Sequence, residues 1–150
     1  MKLGVSSYSF SKYIAQTGAS YLDICNEAKR IGYDGIEFID LSLDIQPAAS
    51  LQELARTIRD HCESIGLEIA AYTVGADFLN RGPGEIDRVK GQADIAALLG
   101  AKVMRHDAAW SLPEGMNWRE AIDLIKEPIR EVASYAQEKG IKTCTENHGY

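Results

Sequence analysis

Cysteine is scarce in this 150-residue chain: Cys25, Cys62 and Cys144 are odd in number, far apart and without a C-x-x-C pair. That excludes a disulfide framework and a zinc ribbon, and fits reduced thiols. Basic charge is also short, with 16 Lys and Arg against 22 Asp and Glu and a formal net charge of −6. Nucleic-acid binders need a basic surface to displace counterions from phosphates, so a nucleic-acid partner is not expected. No apolar run approaches the roughly 20 residues that span a bilayer, so no membrane role is expected either. The start, MKLGVSSYSF, lacks the apolar stretch and cleavage site of a secretory leader, and the expected compartment is cytoplasmic. What is present is a globular composition, 45% apolar and 25% charged, enough for one core.

Four segments share one grammar, a helix-ending glycine followed by an apolar β-type run: 31–39, 65–74, 99–106 and 139–146. The glycines are Gly32, Gly66, Gly100 and Gly140, and an opening strand at 3–10 precedes them. Between the runs lie helical patterns. Segment 50–65 stacks Leu51, Leu54, Ala55, Ile58, Cys62 and Ile65 on one stripe, and 85–99 also reads as helix. The last helical region stacks Ile122, Ile125, Ile129, Val132 and Ala136, and Pro128 predicts a break into two helices there. Ser20 with Asp23, Ser50 with Glu53, and Asn117 with Glu120 are helix-start signals of the capping-box type.

The order β-α-β-α-β-α-β-α-β predicts an α/β fold with a parallel sheet. Two architectures fit: a five-stranded doubly wound sheet, or the first four and a half or so βα units of a TIM barrel, which needs eight. The final strand lacks a helix after it, although a parallel strand needs both faces covered. The expectation is therefore that residues 1–150 form a partial TIM-barrel domain, first to fifth strand, cut before strands six to eight.

In either architecture ligands bind at the carboxyl ends of the strands. That rule selects Ser6 to Ser9, Glu37 to Asp40, Tyr72 and Thr73, His106 and Asp107, and Glu146 to His148; of these, Tyr8, Glu37, His106, Glu146 and His148 are the site candidates, with Trp110 in the loop after strand four. Counted from Gly100 and Gly140, His106 and Glu146 hold equivalent positions on neighbouring strands, and an imidazole and a carboxylate there would face one cavity. Arg105 is expected to point outward, and Cys144 reads as a small packing residue.

The strand-five ending KTCTENHGY (142–150), with GYDGIEF (32–38) and MRHDAAW (104–110), resembles the xylose-isomerase-like TIM barrels, the sugar phosphate isomerase/epimerase family. The tetrad Glu146-Asn147-His148-Gly149 carries most of the resemblance. The resemblance implies that Glu146 is a metal ligand and acid/base, with the rest of the site coming from strands six to eight. It implies a divalent cofactor, Mn2+ or Mg2+, and a small sugar or polyol substrate.

Isomerisation beside a carbonyl removes a weakly acidic C–H proton, work for which carboxylates and a hard cation are suited. Catalysis is expected from Glu146 and His106, and substrate contacts from His148, Trp110, Glu37 and Tyr8. A dehydratase of a related polyol starts with the same proton abstraction. An apurinic-endonuclease-like nuclease would need more histidines and less acidity. A non-catalytic half-barrel would have to oligomerise, so a homo-oligomer is a further expectation.

Overall fold

The computed structural model describes residues 1–146. β1 (Gly4–Ser6) leads through a 3-10 turn (Ser7–Phe10) into α1 (Ser11–Thr17), followed by α2 (Tyr21–Ile31) and β2 (Gly35–Ile39). Then come α3 (Leu51–Ile65), β3 (Glu68–Val74), α4 (Gly84–Leu99), β4 (Val103–His106), α5 (Trp118–Glu138) and β5 (Lys142–Cys144). All neighbouring strands pair in parallel, in the order β1-β2-β3-β4-β5. A doubly wound sheet reverses its strand order at a switch point; a sheet that adds each strand beside the last is an opened barrel. The barrel expectation holds, with the sheet unclosed.

The core lies between the sheet and the helices. Ile36, Phe38, Tyr72, Val74 and Met104 from the strands are fully or nearly fully buried against Ile24, Leu54, Ile58, Val89, Leu99 and Val132 from the helices. The α3 stripe buries Leu54, Ala55, Ile58 and Cys62 as its periodicity requires. Two capping boxes close reciprocally, at Ser20/Asp23 and Asn117/Glu120, and the Ser50 hydroxyl accepts the Glu53 N–H. Two buried tyrosines fix the segment after β2. Tyr21 Oη accepts the Ser42 N–H at 2.9 Å, and Tyr72 Oη accepts that of Leu41 while donating to Gln92 Oε1 at 2.7 Å.

Four local expectations are corrected. The opening strand has three residues instead of eight, because Ser6 caps a 3-10 turn by accepting the Tyr8 N–H and so ends the extended run. α5 runs unbroken through Pro128. Pro128 forfeits the bond to the carbonyl of Leu124, but Leu124 is exposed and water can take that carbonyl, while buried Ala121 and Val132 anchor both halves. The α5 stripe is buried only at Val132 and Ala136; Ile122 is 55% exposed. Cys144 is exposed on the edge strand, whereas Cys25 and Cys62 are buried between α2 and α3 with their Sγ atoms 3.5 Å apart.

Candidate active site at the strand ends

Parallel partners share a face, so the register sorts the side chains at the carboxyl ends. Phe38, Tyr72 and Met104 are partners and point toward the helices; Ile39, Thr73, Arg105 and Cys144 are partners and point to the inner face. Between β2 and β3 the pairing steps from Ile36↔Ile69 to Glu37↔Ala71, leaving Ala70 as the extra residue of a bulge. Glu37 thereby joins the inner face, where its Oε1 accepts the Thr73 hydroxyl proton at 2.5 Å.

The expected pairing of His106 with Glu146 is corrected by this register. His106 is a partner of Val74 and lies on the helix-side face, while Arg105 occupies the inner face opposite Cys144. Glycine-to-glycine counting assumes level strands, but barrel closure staggers each strand against its neighbour. β4 and β5 pair Met104 with Thr143, an offset one residue shorter than that from Gly100 to Gly140. One residue of stagger exchanges Arg105 for His106.

His106 is fully buried, edge-on to Phe78 with ring centroids 5.9 Å apart. Its Nδ1–H donates to the Asp107 carbonyl at 2.7 Å, which leaves Nε2 the unprotonated nitrogen, without a hydrogen-bond partner among the described residues. Burial pushes its pKa below the usual histidine value, opposed by the bond to the Asp107 carbonyl and that residue's charge.

Arg105, Asp107, Trp110 and Glu146 form a connected group. Arg105 Nη1 lies 2.8 Å from Asp107 Oδ1, and its Nε lies 3.2 Å from Glu146 Oε2. The Trp110 indole N–H donates to Asp107 Oδ2 at 3.2 Å, and the Arg81 guanidinium sits 4.3 Å above the ring centroid. Gly75, just past β3, makes room for the indole: a Cβ there would come within 3.2 Å of Trp110 Cζ2. Asp40, just past β2, has a φ of 31°, a left-handed value uncommon outside glycine, and its Oδ2 accepts the Gly75 N–H at 3.3 Å.

Of the residues expected at the site, the structure brings Glu146 and Trp110 into one network and places Glu37 on the same inner face. Tyr8 is 73% exposed in the 3-10 turn beyond β1. His148, with Asn147 and Gly149, lies outside the described residues. Asp40, Thr73 and Asp107 lie among the strand-end positions that the rule selects but were given no role there, and Arg105 was expected outside; only the register says that Arg105 and not His106 faces inward.

A concavity of about 450 Å³ lies away from this corner, lined by Ala133, Gln137, Gly140, Ile141, Lys142 and Thr143. That is the free β5 edge where a further βα unit packs in a closed barrel, and it lacks converging charged groups. Among the described residues no three His, Cys, Asp or Glu side chains stand close enough to hold a metal ion. Glu146 offers one carboxylate of suitable chemistry, so these residues do not by themselves make a metal site.

An unclosed sheet of sequentially added parallel strands, with charged and aromatic groups at its carboxyl ends, defines a TIM-barrel protein. More narrowly, the chain belongs to the xylose isomerase-like TIM barrel family, whose model matches residues 25–150. No curated protein matches the chain. Similar solved structures include a sugar phosphate isomerase/epimerase from Parabacteroides distasonis, at 19% identity and a TM-score of 0.70 over 98% of this chain and 51% of that one. The 3-keto-D-glucoside 4-epimerase of E. coli matches at 17% identity and a TM-score of 0.70, over 97% of this chain and 55% of that one. The probable 3-DHS dehydratase of Bacillus anthracis matches at 19% identity and a TM-score of 0.71, over 99% and 53%. The chain thus spans about half the length of these solved structures. Among the described residues no helix is long and apolar enough to cross a membrane.

Proposed function

We propose that this chain supplies the first half of the active site of a divalent-metal-dependent isomerase or epimerase acting on a sugar or keto-sugar. The observation that carries the reading is Glu146, set just past β5 beside Arg105 at the carboxyl end of a barrel of this family. A hard cation such as Mn2+ or Mg2+, held by Glu146 and by ligands from beyond the described residues, would polarise the substrate's carbonyl and hydroxyl oxygens. Glu146 also has the chemistry to take or return a proton beside that carbonyl. Glu37 and the Thr73 hydroxyl offer hydrogen bonds on the inner face, and Trp110 offers an aromatic surface to a polyol. Tyr8, exposed in the turn after β1, is assigned a contact with the outer end of a substrate. His106, buried behind β4, is assigned no proton transfer in this reading.

A dehydratase reading is second. It uses the same first step, and the probable dehydratase among the similar structures supports it.

The test begins with the coding sequence beyond codon 150. It should continue for roughly 100 residues or more and bring Asp, His and Glu to the next strand ends. The full-length product should then bind Mn2+, and Glu146→Gln should lower turnover in a sugar screen by about 10²–10⁴-fold. Absence of Mn2+ and Mg2+ binding, with Glu146→Gln fully active, would overturn the assignment.

A further inference from the structure

The Arg105 side chain is 13% exposed, packed on the inner face between the partners Thr73 and Cys144, whereas the Glu146 side chain is 61% exposed. The guanidinium beside it is held from the other side by Asp107, 2.8 Å away, and Asp107 is in turn the acceptor for the Trp110 indole. One planar group therefore forms ion pairs with both carboxylates: Nη1 meets the one that orients the aromatic ring after β4, and Nε lies 3.2 Å from the Glu146 carboxylate without hydrogen-bond alignment.

Resting on the reading of Glu146 and Trp110 as site residues, we infer that Arg105 is a positioning residue that sets the Glu146 carboxylate and, through Asp107, the Trp110 indole at a fixed separation across the strand-four and strand-five corner. It acts through these two side chains and takes no proton itself. Lysine cannot replace it, because a single ammonium on a flexible stem cannot address both carboxylates in one plane.

Residues 1–150 hold two tryptophans, so Trp118→Phe, at a position 68% exposed, combined with phenylalanine at any tryptophan beyond residue 150, leaves Trp110 as the indole reporter. In that background, in the full-length protein, Arg105→Gln and Arg105→Lys should both raise acrylamide quenching of Trp110. The rise has a limit of about twofold, because the indole is already 51% exposed. Circular dichroism melts select variants that remain folded; Arg105→Lys keeps the charge and the stem if the glutamine variant does not fold. Titration with Mn2+ alone should show affinity about 10–100-fold weaker in the Arg105 variants, with Trp110→Phe near the parent. Unchanged Trp110 quenching in a folded variant, or unchanged Mn2+ affinity against a parent that binds, would overturn the inference. A parent that binds no Mn2+ would instead overturn the functional reading, and the Trp110 signal would still decide whether Arg105 holds the indole.

Discussion

At the scale of single residues, the corner between β4 and β5 separates two neighbours by chemistry. Arg105 is held among carboxylates on the inner face, while His106 is sealed behind the sheet with one nitrogen satisfied by the Asp107 carbonyl. A histidine buried in its neutral form has a folded pKa below its unfolded value of about 6.5. The unfolded chain then binds more protons as the pH drops, so this residue's contribution to stability is present above about pH 6.5 and is lost as the pH falls. The melting temperature should therefore fall between about pH 7 and 5, and less steeply in His106→Gln. Equal slopes in the two proteins would show that His106 charges freely in the fold. Glu85 belongs to a lower window. Burial alone would raise its pKa, but the Arg88 hydrogen bonds, the Asp77 N–H and the nearby arginine charges outweigh it and hold the carboxyl below the usual range.

At the scale of elements, the bulge between β2 and β3 puts Glu37 on the inner face beside Thr73. The two strands approach closely at Gly35, where an added Cβ would stand 2.9 Å from the Glu68 carbonyl oxygen. Neither backbone can yield without shifting the β2–β3 ladder. Gly35→Ala should cost about 1–3 kcal/mol in denaturant unfolding, a typical cost of overpacking. A stability loss under about 0.5 kcal/mol would mean the ladder is slack there. Most of this level was legible in the sequence: the helical stripe of α3 and the caps at Ser20 and Asn117 stand where spacing put them. The short β1 and the unbroken α5 were not. The first was decided by a serine turning the chain onto its own backbone, the second by tertiary contacts outweighing one lost hydrogen bond.

At the scale of the whole molecule, the sheet has two free edges among the described residues, at β1 and β5. α5 also leaves Trp118, Ile122 and Leu124 each more than half exposed. Open edges and uncovered apolar side chains favour association. Residues 1–150 expressed alone should bind the dye ANS and elute at a size that grows with concentration. A sharp, cooperative monomer at all concentrations would mean that five strands suffice as a unit. For the candidate site, Glu146, Trp110 and Glu37 stand at the strand ends on the inner face or at its corner, but Arg105 was expected outside and His106 inside.

What the sequence determined by itself is what depends on neighbours along the chain. Helix stripes, caps and the strand-helix alternation are set by residues within a few positions of one another, and they imply a parallel, barrel-type sheet. The direction of each strand-end side chain was decided only in three dimensions. It depends on the stagger between neighbouring strands, a product of twist and closure that no spacing within one strand records. A shift of a single residue in that stagger turned Arg105 inward beside Glu146 and buried His106 behind the sheet.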